Sequence, residues 1–167
     1  MNFWRITNFW LRPVFTSRVF LYGGSHGGFI ALHLASQYAN TFQAVVARNP
    51  VVNKATKSQS SDIPGNGMLM DLSTSWNPDP IAMSILYSVS PVAYATGLKI
   101  PIYLMIGSKD LRVPPSQGYS YYNLMKCLGN TDVKMNVYND CHPLGKVLVH
   151  CNVMINTAIF YDQFSSK

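Results

Sequence analysis

Val19-Phe20-Leu21-Tyr22-Gly23-Gly24-Ser25-His26-Gly27-Gly28-Phe29-Ile30-Ala31-Leu32-His33-Leu34-Ala35 is the stretch that decides the fold. An apolar run predicts a buried strand, a glycine-rich turn follows, and an apolar-periodic segment predicts a helix. Gly23, Ser25 and Gly27 satisfy the pattern G-x-S-x-G, with Gly24 and Gly28 as further glycines of the turn. The expected reason is steric: a serine on a strained turn leaves no room for side chains at the flanking positions, which would strike the neighbouring strand and helix. Such a turn lifts the Ser25 hydroxyl clear of the backbone at a helix N-terminus. There the helix dipole and the backbone N–H of His26 can stabilise an oxyanion.

A serine nucleophile needs a base, and the base needs an acid to orient it. Pro101-Ile102-Tyr103-Leu104-Met105-Ile106 predicts a second buried strand, and Gly107-Ser108-Lys109-Asp110 follows it. Lys134-Met135-Asn136-Val137-Tyr138 predicts the next strand and ends in Asn139-Asp140-Cys141-His142. Ser25, Asp110 and His142 therefore come in the order of the α/β-hydrolases, each just past the carboxyl end of a strand. Catalytic residues of open α/β sheets gather at that edge. His33 and His150 fall inside predicted helices and read as structural. Asp140 shares a loop with His142 and is poorly placed to orient its ring. Cys141, next to His142, is a weaker nucleophile candidate than Ser25.

Strands are expected near 18–22, 43–47, 101–106 and 134–138, with helices near 26–38, 115–128 and 147–164. The alternation implies an α/β fold, a mostly parallel sheet flanked by helices with right-handed crossovers. From Lys54 to Pro80 the chain is rich in Ser, Asn, Gly, Pro and Asp, which predicts a long irregular excursion and then a short helix around Ile81 to Tyr87. Met68, Met70 and Trp76 within it are candidates for lining a pocket, although packing against the fold is the plainer role.

The chain resembles the C-terminal catalytic part of the acylaminoacyl peptidases, in the prolyl oligopeptidase family of serine peptidases. The residues that carry this are Gly23 to Phe29, Val46-Ala47-Arg48-Asn49-Pro50-Val51-Val52-Asn53, Asp62-Ile63-Pro64, Ser90-Pro91, Asp110-Leu111-Arg112-Val113-Pro114, Gln117 to Tyr122, and His142. The resemblance implies a partial α/β-hydrolase fold, lacking the first strands and an N-terminal β-propeller. It implies a divergent segment over 1–16 and the catalytic domain over 17–167. It also implies a Ser25-Asp110-His142 triad, a grip by Arg112 on a substrate carbonyl, and an N-acylated peptide as substrate. The second oxyanion donor of such enzymes comes from a loop before the nucleophile. Its absence is expected to cost about 10²–10³ in turnover. Pro143 also departs from the family and fixes the chain where His142 must reach Ser25.

With 48% hydrophobic and 12% charged residues, 167 residues suffice for one core. The formal charge of +6 is scattered, without a basic run, so nucleic acid is not an expected partner. Cys127, Cys141 and Cys151 lack metal-ligand spacing and read as reduced thiols of a cytoplasmic protein; the triad mechanism itself requires neither a metal nor an organic cofactor. No run reaches the roughly 18 apolar residues of a membrane span, and a signal peptide is not expected, since Arg5 and Arg12 break the N-terminal apolar stretch and no small-residue cleavage site is clear. Two alternatives remain: an esterase-like hydrolase, and an impaired chain that acts by associating with itself or with a full-length subunit. Loss of the first strands would leave Val19–Tyr22 as an exposed hydrophobic sheet edge, an aggregation liability.

Overall fold

The structure, a computed structural model, describes residues 19–63, 79–130 and 132–165. In chain order its elements are β1 (Phe20–Gly24), α1 (His26–Gln37), β2 (Ala44–Arg48), α2 (Lys54–Lys57), α3 (Pro80–Ser88), a 3₁₀ helix (Pro91–Gly97), β3 (Ile102–Gly107), α4 (Ser116–Cys127), β4 (Val133–Tyr138) and α5 (Val147–Asp162). The four strands form one sheet in the order β1-β2-β3-β4, and every neighbouring pair is parallel.

Successive strand residues point to opposite faces, so the apolar runs feed two cores. On one face Val45, Ala47, Ile102, Leu104 and Ile106 pack with Ala31, Leu32 and Ala35 of α1 and with Tyr121 and Met125 of α4. On the other, Ala44, Val46, Tyr103 and Met105 pack with Leu144 and with Val153 and Phe160 of α5. All six residues of β3 are buried, as a strand covered on both faces requires. Burial pushes the Tyr103 hydroxyl up to about 12, so it stays protonated in this core.

β1 pairs with one neighbour among the described residues, and Tyr22 on it is 44% exposed. Much of α5 turns outward too: Leu148 is 84% exposed, and Ile155 and Ile159 are exposed with it.

Two departures from the sequence expectation have local causes. The irregular excursion from Lys54 is helical at its start, because the Asn53 side chain accepts hydrogen bonds from the Ala55 and Thr56 N–H groups and caps α2. Pro91 to Gly97 winds into a 3₁₀ helix that no periodicity announced, pinned where the Val92 N–H donates to the Val52 carbonyl. The expected short helix is α3, started by the Asp79 carboxylate, which accepts from the Ala82 N–H, and by Pro80 in the first turn. Met68, Met70, Trp76 and the segment 1–16 lie outside the described residues.

Candidate active site

Ser25 is the single residue between β1 and α1, and it takes φ 57° and ψ −120°. A non-glycine residue at such angles is strained by about 1–3 kcal/mol. The turn is held by the Ser25 N–H donating to the Arg48 carbonyl at 2.8 Å, while its own carbonyl accepts from Phe29 at 3.2 Å. A Cβ on Gly23 would lie 2.2 Å from the Gly27 carbonyl oxygen, and one on Gly28 would lie 2.8 Å from Pro50 Cβ. The steric expectation therefore holds at Gly23 and Gly28. It fails at Gly27, where a Cβ would meet nothing within 4 Å, and at Gly24 the nearest group is only the flexible Arg48 guanidinium.

A serine at a helix N-cap normally spends its hydroxyl on the first turn. Ser25 does not: its side chain makes no cap hydrogen bond. The His26 N–H, at the first position of α1, is likewise without an acceptor among the described residues. A free hydroxyl and a free N–H thus sit side by side at the positive end of a helix dipole.

Asp110 and His142 meet because β3 and β4 are neighbours and end together. The Ser108 N–H donates to Tyr138 and the Lys109 N–H to Asp140, which clamps the two loops. Asp110 is 2% exposed. One of its carboxylate oxygens accepts from the Arg112 and Val113 N–H groups, both at 2.9 Å. The other lies 2.6 Å from His142 Nδ1. A carboxylate only accepts, so the bond assigns the proton to Nδ1 and leaves the Nε2 lone pair free.

Asn49 completes the support, a residue that sequence reasoning passed over. It sits at φ 40° just beyond β2. Its side-chain carbonyl accepts from the Gly107 N–H at 2.7 Å, and its amide donates to the His142 carbonyl at 2.8 Å. Asparagine tolerates the left-handed region, but a residue before proline ordinarily favours extended backbone, so the sequence carried no signal for this role.

Ser25 and His142 line one cleft of about 220 Å³ with Gly24, Arg48 and Pro143. No hydrogen bond joins the Ser25 hydroxyl to the ring, a looseness common before substrate closes such a site. Across Pro143, a second cleft holds His142 with Arg112, Asp62, Lys109, Leu111 and Cys141. Arg112 Nε lies 3.3 Å from the Asp62 carboxylate in an exposed ion pair. That pair steers the guanidinium beside His142 and adds little stability.

The rival residues have other partners. Asp140 accepts from the Cys141 and Lys146 N–H groups, and the Lys146 contact leads in holding its carboxyl below the usual range. His33 Nε2 contacts the Val89 carbonyl at 3.2 Å. His150 is exposed on α5. The His26 ring stacks on Phe29, and the Lys54 ammonium stands 4.7 Å over that same Phe29 ring. Burial first, then the Lys54 charge, lowers the His26 pKa, so at neutral pH the ring is uncharged and no proton store. No group of three metal-ligating side chains occurs among the described residues, and no described helix is long and apolar enough to cross a membrane.

A parallel sheet with a strained serine between strand and helix, and an Asp–His pair at the same edge, defines the α/β-hydrolase class. Residues 11–148 match the prolyl oligopeptidase family, and the chain belongs to it. It is 39% identical to the acylamino-acid-releasing enzyme of Sus scrofa over 147 residues, and 38% identical to that of Homo sapiens over 148 residues. Each alignment covers 86% of this chain and 20% of the relative, so the chain spans about a fifth of the length of these proteins. Among solved structures, the acylaminoacyl peptidase of Pyrococcus horikoshii superposes with a TM-score of 0.77 at 23% identity. That alignment covers 91% of this chain and 25% of the other, and supports the fold.

Proposed function

We propose that this chain is a serine hydrolase that releases the acylated first residue from short acyl-peptides. One observation carries the reading: the Asp110–His142 hydrogen bond leaves Nε2 basic in the same cleft as the uncapped Ser25 hydroxyl. The substrate class is that named for its relatives, the acylamino-acid-releasing enzymes.

In this mechanism Ser25 Oγ attacks the carbonyl carbon of the acylated residue while His142 Nε2 takes its proton. Asp110 holds the resulting imidazolium, and the His26 N–H faces the oxyanion. Collapse breaks the C–N bond, and His142 returns the proton to the leaving amine. Water then adds to the acyl-serine with His142 as base, which frees the acylamino acid and restores the Ser25 hydroxyl. Arg112, beside His142, would grip the acyl-side carbonyl. Three free, exposed cysteines fit a reducing cytoplasmic setting.

The test is labelling of the purified chain by a fluorophosphonate, which reacts efficiently only with an activated serine. Labelling that disappears in Ser25→Ala is the expected result; labelling retained in that variant, or none from folded protein, rejects the reading. A second reading rests on the exposed Leu148, Ile155 and Ile159 of α5: the chain associates with a copy of itself or with a longer relative. Sedimentation as a stable monomer excludes it.

A further inference from the structure

The catalytic cleft contains a cation that the mechanism above does not use. Arg48 ends β2 and lines the same small space as Ser25, His142, Gly24 and Pro143. Its guanidinium lies against Gly24, where an added Cβ would be 3.2 Å from one terminal nitrogen, and 5.4 Å from the centre of the Tyr22 ring. Arg48 forms no ion pair among the described residues, and its buried Nε–H has no acceptor. A guanidinium carries five donors in a planar fork suited to a carboxylate, and none of these donors meets an anion among the described residues.

The side of the site follows from His142. His142 and Pro143 line both clefts, one shared with Arg112 and the other with Ser25 and Arg48. The cleft with Arg112 is the one assigned above to the acyl side. The other cleft, with Arg48, then receives the portion that leaves after His142 protonates its amine. At about 220 Å³ it is smaller than the roughly 300–1,000 Å³ of drug-sized pockets, which suits a leaving group of one or two residues. A leaving group that short carries its own terminal carboxylate close to the scissile bond.

We propose that Arg48 is a specificity-determining residue that binds the C-terminal carboxylate of a leaving group one or two residues long, making acyl-dipeptides and acyl-tripeptides with a free carboxylate preferred substrates. The inference rests on the hydrolase reading for its substrate. The 167-residue chain is given N-acetyl-alanyl-alanine and its C-terminal amide, which differ only in the charge. A charged hydrogen-bonding partner lost is expected to cost roughly tenfold to hundredfold, so kcat/KM should favour the acid by that ratio. The ratio should fall towards one in Arg48→Met. Equal rates in the unaltered chain, or a preference that survives in Arg48→Met, overturn the proposal.

If the chain is not labelled by fluorophosphonate, the hydrolase reading fails and calorimetric binding of the same two compounds to Ser25→Ala decides this one by the same ratio. If Arg48→Met does not fold, as judged by circular dichroism, Arg48→Lys replaces it. That variant keeps the charge without the fork and should cut the ratio severalfold; an unchanged ratio overturns the assignment.

Discussion

Asp110→Asn changes one atom of a buried side chain and tests the site where its wiring is tightest. The carboxylate has two distinct duties: one oxygen accepts from two backbone N–H groups, and the other faces His142 Nδ1 at 2.6 Å. An asparagine must divide an oxygen and an NH₂ between them. Turning the NH₂ towards the Arg112 and Val113 N–H groups would set three donors together, at about 1–3 kcal/mol for each buried group left unsatisfied. The oxygen therefore stays there and the NH₂ faces the ring. Nδ1 must then accept, the proton moves to Nε2, and the lone pair that should take the Ser25 proton is gone. The equivalent exchange in another serine protease triad costs about 10⁴ in turnover, and a similar loss is expected here. Replacing a charged acceptor by a neutral one should cost roughly 1–2 kcal/mol of stability, about 2–8 °C in melting temperature. The assays are the rate of fluorophosphonate labelling and the ¹⁵N shifts of His142, which report the tautomer without turnover. Labelling within tenfold of the unaltered chain, with Nδ1 still protonated, would refute the reasoning.

Asn49→Ala should uncouple the β3 end from the histidine loop by stripping the Gly107 N–H and the His142 carbonyl of their partners; thermal melts should show a loss of about 1–3 kcal/mol. Among the elbow glycines, Gly28→Ala forces a Cβ to 2.8 Å from Pro50 Cβ and should destabilise by about 1–3 kcal/mol. Gly27→Ala faces open space in α1 and should gain roughly 0.5–1 kcal/mol, seen as a higher melting temperature. Lys54→Met should stabilise the fold at neutral pH, because burial lowers the ammonium pKa below 10.5 and so penalises the charged form. The penalty is full below the folded pKa and disappears above the unfolded value, so the gain should vanish in melts above about pH 10.5. The same variant should move the His26 pKa upward in an NMR titration, though not fully to 6.5, since burial is the larger cause of its depression.

Short-range chemistry made the elbow legible. A strand, one strained residue and a helix are set by neighbours in sequence, so Val19 to Ala35 foretold β1, Ser25 and α1. The apolar run at 101–106 likewise foretold β3, since a strand covered on both faces needs unbroken hydrophobicity, while β4 was foretold by the alternating Lys134-Met135-Asn136-Val137 of a partly exposed edge strand. The order Ser25, Asp110, His142 could be read along the chain because each residue follows a strand end. What Asn53 did to the Lys54 excursion was local too, but Asp, Asn and Ser serve turns and helix caps equally well, and composition does not say which.

The choice between Asp110 and Asp140 was decided by packing. Both aspartates follow strand ends, yet Asp140 is occupied by its own loop's N–H groups, whereas neighbouring strand ends bring Asp110 to the ring. Asn49 and Arg48 reach the site only because β2 lies between β1 and β3, with its end in register with both. Sequence by itself determined which groups could do chemistry, through local backbone geometry and hydrophobic pattern. Tertiary structure decided which of them meet, because contacts across 32 residues, as between Asp110 and His142, or 93, as between Asn49 and His142, depend on how the strands stack side by side.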